Sequence, residues 1–262
     1  MKLVLEFDDQ DLAGALARVA DFGAASFGYV VTPNVDHVIR YADDAGFRDA
    51  YRGASFVFID SRILARLLRV VRGQSVRVCT GSDLTAAVLA RLVGAEDRLV
   101  LVGGSTAQAA NLRERYGLPA LVHVSPPMGF VHDHDALEDC LQAIERASPF
   151  RFCFLAVGSP QQEIVAQRLR ARARARGLAL CIGASVNFLT GAERRAPVWM
   201  QHAGLEWLYR LVSSPRRLAS RYLLRGPRIF RLLRRLELRP REPQRSSASR
   251  APPELGEDDQ TT

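Results

Sequence analysis

Short apolar runs alternate with amphipathic segments along the chain. Each run has the length of a strand, ends in a glycine-containing turn and is followed by a helical pattern. The runs are Val76–Cys79, Leu99–Val102, Phe152–Val157 and Leu178–Ile182, preceded by the unit Ser26–Val31, helix Val35–Tyr41 and strand Phe56–Ile59. Continuous apolar strands between amphipathic helices predict a parallel sheet covered on both faces. We therefore expect a doubly wound, mostly parallel α/β fold.

Several polar or glycine residues fall where the predicted strands end. In doubly wound sheets, ligands bind outside the carboxyl ends of the strands. We therefore expect a ligand site that includes Thr32, Asn34, Asp60, Gly103 and Gly158.

The pattern changes after residue 197. An aromatic run, Trp199 to Tyr209, leads into an arginine segment whose leucines recur at helical spacing, which predicts two or three short amphipathic helices. The last residues are rich in Ser, Pro, Gln and acids and have no apolar face. The predicted organisation is a core at 1–197, a basic helical appendage at 198–241 and a disordered acidic tail at 242–262.

Charge is concentrated in that appendage. The 262-residue chain has a net charge of +8, yet Arg210 to Arg241 contains eleven arginines and a single acid, Glu237. A localised basic patch predicts a local anionic partner, which is a phosphate, a nucleic acid or an anionic membrane surface. No nucleic-acid motif accompanies the patch, so nucleic acid is not expected.

Two other patterns limit the function classes. Charges interrupt every apolar stretch of the roughly 20 residues that a membrane span needs, and the N-terminus lacks a secretory pattern, so we expect a cytoplasmic protein. The four cysteines show no CxxC spacing, which predicts buried thiols rather than a zinc site or disulfides. They are Cys79, Cys140, Cys153 and Cys181.

Three motifs each allow two interpretations. The turn Gly103-Gly104-Ser105 is either an ordinary strand-to-helix turn or a phosphate site, but the dinucleotide fingerprint is absent. Asp60 is either a helix N-cap or a general base at the ligand edge. The turn Gly158 to Glu163 is either a capped helix start or a site whose amide and carboxylate contact a base or a sugar.

A metal site is not expected. In the segment His132 to Asp135, Asp135 with Glu138 forms a capping pattern for a helix near Ala136–Ala147, and a third convergent ligand is missing. No Asp-x-Asp stands at a strand end to hold a divalent ion. We therefore expect a metal-independent protein without cofactors, in which protein groups neutralise any diphosphate.

Together these motifs resemble the WecG/TagA/CpsF family of glycosyltransferases. The matching segments run in order over nearly the whole chain: Thr32-Pro33-Asn34, Ala54 to Asp60, Gly81 to Leu84, Leu101 to Gly104, Pro126 to Phe130, Val157 to Glu163, Ile182 to Ala184, Arg195 to Met200, Gly204 to Arg210, Pro215 to Leu218 and Arg221-Tyr222.

The resemblance implies a Rossmann-like inverting transferase that moves a sugar from a UDP-sugar to an undecaprenyl-diphosphate-linked saccharide. The reaction would take place at the inner membrane face, and the appendage would bind the membrane. N-acetylmannosamine, its uronic acid and glucose are the donor sugars open to it. The implied base is Asp60. The implied substrate contacts are Thr32, Asn34, Gly103, Gly104, Pro127, Gly129, Phe130, Gln162 and Glu163, and the candidate phosphate contacts are Arg195, Arg210, Arg217 and Arg221.

One position departs from the family pattern. Family members commonly have Asp-Gly after this strand, whereas Asp60 is followed here by Ser61 and Arg62. We expect the substitution to restrict the backbone next to the base and to bring an arginine near the sugar. Two other classes remain open: a nucleotide-binding oxidoreductase and a non-enzymatic basic module. A homo-oligomer is also left open.

Overall fold

The computed structural model describes residues 3–23, 25–219, 223 and 225–241, without the side chains of His202 and Arg217. The strands are β1 Leu3–Phe7, β2 Phe27–Val31, β3 Phe56–Val57, β4 Leu99–Val102, β5 Leu121–Val124, β6 Phe152–Leu155, β7 Gly177–Cys181 and β8 Leu236–Pro240. The helices are α1 Leu12–Ala20, α2 Val35–Asp43, α3 Ala45–Arg52, α4 Arg62–Arg72, α5 Gly81–Arg91, α6 Thr106–Tyr116, α7 His134–Arg146, α8 Gln161–Arg172, α9 Ser185–Leu189, α10 Val198–His202, α11 Glu206–Ser213, α12 Pro215–Ala219 and α13 Arg228–Leu233.

The central sheet has six parallel strands in the order β3-β2-β7-β6-β4-β5. Successive side chains along a strand point to opposite faces. Accordingly, Val100 and Val102 of β4 pack in one core with α2, α3, α4, α7, α8 and α13, whereas Leu99 and Leu101 pack in a second core with α1, α5, α6 and α9. This arrangement confirms the predicted Rossmann-like, doubly wound α/β fold. The four cysteines are buried free thiols, as predicted.

The chain reverses direction between two adjacent strands, β4 and β6. It leaves β4 towards the edge strand β5, and it leaves β6 in the opposite direction towards β7. Here Gly103 has φ of +87°, and an added Cβ would lie only 2.8 Å from Cγ1 of Val157. The loops after β4 and β6 therefore meet at a topological switch point, where such sheets form a ligand crevice.

The predicted strand Val76–Cys79 is wrong. The segment joins the sheet through the N–H of Cys79, which donates to the Ile59 carbonyl, but no strand forms. The neighbouring strand β3 pairs over only two residues and offers no long ladder. The N–H of Arg77 instead donates to the side chain of Asp9 at 2.8 Å.

Among its described residues the appendage contains four short helices, α10 to α13, where two or three were predicted, and also a strand that was not predicted. Strand β8 pairs in parallel with β1, with Leu236 opposite Leu3 and Leu238 opposite Leu5. The buried side chains Ile229 and Leu233 of α13 join the same core as β8. The last part of the basic segment is thus packed into the core, while the predicted acidic tail at 242–262 lies outside the described residues.

Within the described part of the chain, no helix combines the length and the apolar character that crossing a bilayer requires.

Candidate active site

Asp60 lies just beyond the carboxyl end of β3. Its N–H donates to the Pro33 carbonyl at 3.0 Å, and its Oδ1 accepts a hydrogen bond from the N–H of Gly81 at 2.7 Å. The N-cap of α4 is Ser61, whose hydroxyl accepts from the N–H of Leu64. The interpretation of Asp60 as a helix cap is therefore wrong, and its second oxygen is not needed for capping.

The Ser61 backbone needs no glycine. Its φ of −106° and ψ of 114° are extended values that any residue adopts. The change from glycine to Ser61 therefore introduces no backbone strain at this position. The following residue, Arg62, directs its guanidinium to Asp83 at 3.9 Å.

Burial sets the proton affinity of Asp60. Loss of hydration raises the pKa of its carboxyl to about 6, although the hydrogen bond from Gly81 and the positive charges of Arg210 and Arg195 lower it. The carboxylate is thus mostly ionised at neutral pH but binds a proton more readily than an exposed aspartate. These are the properties of a general base.

The loop after β2 and the start of α5 lie close to Asp60. An added Cβ on Gly81 would lie 2.8 Å from the Thr32 hydroxyl and 3.7 Å from Oδ1 of Asp60, so the three residues meet at one point. Asn34 caps α2, with its Oδ1 accepting the N–H groups of Asp36 and His37. Because these bonds use the Asn34 oxygen, its side-chain amide NH2 is the group that it can offer to a substrate.

Gln162 and Glu163 form a buried pair at the start of α8. Nε2 of Gln162 donates to Oε1 of Glu163 at 2.9 Å, and Oε1 of Gln162 accepts from the N–H of Gly183 at 2.9 Å. Glu163 is 0 % exposed, and burial raises its pKa to about 7. Gln162 therefore joins the loops that follow β6 and β7, and Glu163 is an ionisable group directly beneath them.

The buried Tyr51 lies within electrostatic range of two carboxyl groups, those of Asp60 and Glu163. Its hydroxyl lies 2.8 Å from Nδ1 of His37. Burial raises the pKa of Tyr51 well above its usual value, and the charges of Glu163 and Asp60 both add to the effect. A buried polar layer of Tyr51 and His37 thus lies within electrostatic range of both groups.

An ion-pair cluster borders Asp60 on its other side. Arg195 donates to Asp83 at 2.5 Å and to the Thr80 hydroxyl at 3.4 Å, and its Nε lies 3.8 Å from Glu206. Burial would raise the pKa of Asp83, but the hydrogen bonds from Arg195 and Thr80 outweigh it, and that pKa is lowered. Arg195 is therefore held rigidly by acids before any ligand binds.

Of the three other candidate phosphate contacts, Arg210 is the one whose side chain the structure describes. The guanidinium of Arg210 stacks over the Phe188 ring at 5.4 Å from its centroid, and its charge acts on Asp60. Arg221 lies outside the described residues, as does the side chain of Arg217. The appendage thus brings at least Arg210 and Glu206 within electrostatic range of Asp60.

The remaining candidate substrate contacts follow β4 and β5. Gly104 has φ of +72° and precedes Ser105, which caps α6. Gly129 has φ of +77°, and the Pro127 carbonyl accepts from the N–H of Phe130. The side chain of Phe130 is 3 % exposed in the core, so its contribution there is packing.

Asp135 is not the helix cap that the sequence predicted. The N-cap of α7 is Asp133, which accepts from the N–H groups of Asp135 and Ala136, because the helix begins two residues earlier than expected. His134 and Asp135 are exposed. Across the described ranges, no group of three or more His, Cys, Asp or Glu residues is placed to hold a metal ion.

Sequence reasoning missed three residues near Asp60: Gly81, Asp83 and Glu206. The turn Gly81-Ser82-Asp83 was recognised as a motif, and its position after an apolar run was the available signal. The contact of Gly81 with Asp60 spans 21 positions, and the contact of Arg195 with Asp83 spans 112. Such contacts depend on tertiary structure and carry no local signal.

These features were compared with known protein families. The model of the glycosyl transferase WecG/TagA/CpsF family matches residues 2–243, which is nearly the whole chain. The match includes every strand and helix described above. The chain therefore belongs to the WecG/TagA/CpsF family of glycosyltransferases, which serve the synthesis of cell-surface polysaccharides.

Proposed function

We propose that the protein transfers a hexose or N-acetylhexosamine-type sugar from a UDP-sugar to a hydroxyl of an undecaprenyl-diphosphate-linked saccharide, with inversion. Membership of a glycosyltransferase family supports this class over the oxidoreductase and the non-enzymatic module. The observation that carries the mechanism is the Asp60 carboxylate, fixed by Gly81 at a strand end with a pKa of about 6.

The reaction is a single displacement. Asp60 accepts the proton of the acceptor hydroxyl while that oxygen attacks the anomeric carbon from the face opposite UDP. The new C–O bond forms as the bond to the diphosphate oxygen breaks, so UDP leaves with the electron pair. One attack inverts the anomeric configuration, because no covalent sugar–enzyme intermediate forms.

The donor lies across the strand ends. The nucleotide occupies the crevice between the loops of Gly103-Gly104 and Gly158, near the buried pair Gln162 and Glu163. Three strand spacings separate β6 from β3, a distance of about 14 Å. An elongated nucleotide sugar spans that distance, and its sugar then reaches Thr32 and Asp60.

Protein cations stabilise the departing diphosphate. Arg195 and Arg210 are the described candidates, because both act electrostatically on Asp60 and therefore lie close to the reacting centre. Arg195 is fixed by Asp83 and Glu206, so little reorganisation is needed when negative charge develops. We propose that these groups act without a metal ion, and that Arg217 and Arg221 complete the set.

The appendage attaches the enzyme peripherally to the inner face of the cytoplasmic membrane. Among the described residues of the appendage, large apolar side chains are exposed next to arginines; they are Val198, Trp199, Leu208, Val212, Leu223 and Phe230. Exposed apolar groups mixed with cations suit an anionic membrane surface, which also holds the lipid-linked acceptor.

The test is a panel of donors and acceptors. The protein is incubated with UDP-N-acetylmannosamine, its uronic acid and UDP-glucose, each with lipid-linked mono- and disaccharides, and UDP release and product anomer are measured. We expect one donor–acceptor pair to release UDP with inversion, and we expect Asp60→Asn to abolish that release. Retention of configuration, or release of UDP at wild-type rate by Asp60→Asn, would contradict the proposal.

A further inference from the structure

Helix α4 is a second basic element, located in the core rather than in the appendage. Its sequence, RILARLLRVVR, contains four arginines and no acid. Between Asp60 and Asp83 the chain has five arginines and no Asp or Glu. The sequence analysis assigned the positive charge to the appendage, whereas α4 is a local excess of positive charge in the core.

The helix presents these charges away from the core. Leu64 and Leu68 are 0 % exposed and pack against the sheet. Arg66, Arg69 and Val70 lie on the opposite side, and Val70 is 82 % exposed. An apolar side chain this exposed, next to two exposed arginines, contributes little to the fold.

The arrangement of charges is unfavourable for an isolated helix. Arg62 and Arg66 are four residues apart, and Arg66, Arg69 and Arg72 follow at intervals of three, so like charges are neighbours along the helix. Arg62 approaches the carboxylate of Asp83 at 3.9 Å. An anionic partner outside the protein would remove this repulsion.

The appendage extends the same surface. Arg72 donates to the Arg234 carbonyl at 3.2 Å, and Arg66 donates to the Ala203 carbonyl, so the middle and the C-terminal end of α4 contact the appendage. Helix α13 packs against α4 and exposes Phe230 and Arg231. We call the exposed residues of these two helices the α4–α13 surface: Arg66, Arg69, Val70, Phe230 and Arg231.

We propose that the α4–α13 surface docks on anionic lipid headgroups, so that the core itself, and not only the appendage, contacts the membrane. The inference deepens the proposed function and rests on its membrane association. Arginines interleaved with exposed valine and phenylalanine match a surface of negative headgroups above an apolar layer. Helix α4 begins immediately after Asp60, so docking this helix holds the base at the membrane surface, where the lipid-linked acceptor lies.

The test compares two double variants of the full-length protein with the same change in charge. Arg69→Glu/Val70→Asp alters the docking surface. Ala90→Asp/Arg91→Glu alters exposed positions at the end of α5, which packs on the opposite face of the sheet. Binding is measured by co-sedimentation with phosphatidylcholine vesicles, with and without 30% phosphatidylglycerol, and transfer is measured with a short-chain water-soluble acceptor.

One arginine near an anionic surface contributes about fivefold to binding. We therefore expect Arg69→Glu/Val70→Asp to bind anionic vesicles at least about tenfold more weakly, with transfer to the soluble acceptor retained. The α5 control should bind like the wild type. Retained soluble transfer also shows that the variant is folded; if it is lost, Arg69→Gln/Val70→Ser must show the weakened binding or the proposal fails.

Other outcomes overturn the proposal in distinguishable ways. Wild-type affinity in Arg69→Glu/Val70→Asp would remove α4 from the docking surface and leave membrane association to the appendage. Absence of vesicle binding by the wild type would refute membrane association as well. A dimer in analytical ultracentrifugation that this variant dissociates, with vesicle binding unchanged, would assign the surface to a second copy of the chain.

Discussion

The backbone N–H of Gly81 donates a 2.7 Å hydrogen bond to Oδ1 of Asp60. Gly81 is the first residue of α5, so the carboxylate also lies at the positive end of a helix dipole. Burial disfavours the charged carboxylate, whereas this donor favours it, and the resulting pKa is about 6. The contact thus affects both the position of the Asp60 carboxylate and its proton affinity.

Gly81→Ala tests that contact. The new Cβ would lie 2.8 Å from the Thr32 hydroxyl and would move the N–H away from Asp60. We expect kcat to fall roughly tenfold or more, since small displacements of a reacting group are costly. We also expect the apparent pKa of kcat/KM to rise, because the carboxylate loses a donor.

The control for this variant is Gly46→Ala, which places a Cβ 3.4 Å from Asp44 in ordinary contact. It should leave kcat and the apparent pKa unchanged. Unchanged kinetics in Gly81→Ala would show that the hydrogen bond does not position the base.

Asp60→Asn should lose transfer but keep UDP binding and gain stability above pH 6. A pKa raised from 3.8 to about 6 means that the folded state holds a proton which the unfolded chain releases. The wild type therefore loses stability as the pH rises from about 4 to about 6, by on the order of 1 to 3 kcal/mol. Asparagine does not ionise, so the variant should melt at a higher temperature than the wild type at pH 8 and at a similar one at pH 4.

Thermal unfolding at both pH values and calorimetric titration with UDP measure these effects. A variant that is less stable than the wild type at pH 8 would show that the Asp60 charge is stabilised by groups other than Gly81, Arg195 and Arg210.

The pH dependence of kcat/KM should show which of two buried carboxyl groups, Asp60 or Glu163, is the base. If Asp60 is the base, kcat/KM falls tenfold per pH unit below about 6, where its carboxyl becomes protonated. Burial gives Glu163 a pKa of about 7. Glu163→Gln should therefore leave the inflection near 6 in place. Loss of that inflection in Glu163→Gln would assign the titration to Glu163 instead.

Part of this architecture could be predicted from the sequence and part could not. Strands β4, β6 and β7 are buried on both faces, so continuous apolar runs mark them clearly. Strand β8 was missed because Leu236 also fits the helical spacing of the leucines before it, and its partner β1 lies more than 200 positions away. Asp60 was found because a strand end is a local feature, whereas its donor Gly81 belongs to another loop.

Substitutions at Arg195 and Asp83 should distinguish two roles. We expect Arg195 to bind the UDP-sugar and Asp83 to hold Arg195 in position. Arg195→Gln removes both the ion pair with Asp83 and the charge that we propose to contact the diphosphate, so UDP-sugar affinity and stability should both fall. Asp83→Asn keeps the Arg195 charge and weakens its support. We expect it to cost about 1 to 2 kcal/mol of stability, a loss of roughly 3 to 6 °C in Tm, while UDP-sugar affinity stays within about threefold.

Arg151→Gln is the matched control, because Arg151 forms a 2.7 Å ion pair with Asp97 on the surface. It should change stability by less than about 1 kcal/mol and leave kinetics unaltered. Equal losses of affinity in Arg195→Gln and Asp83→Asn would indicate that Arg195 acts only as structural support.

The appendage calls for a finer test than truncation. Deletion of Val198–Thr262 would remove β8 and four buried side chains from the core, so loss of activity would follow from unfolding alone; they are Ile229, Leu233, Leu236 and Leu238. Fully burying one such side chain contributes roughly 1.5 to 3 kcal/mol. Deletion of Glu242–Thr262 should instead preserve stability and transfer.

Trp199→Ser/Val212→Ser changes two exposed apolar side chains and should weaken vesicle binding while the soluble acceptor is still glycosylated. If this variant binds vesicles like the wild type, Trp199 and Val212 do not contribute to membrane binding, which would then depend on other exposed residues such as those of the α4–α13 surface.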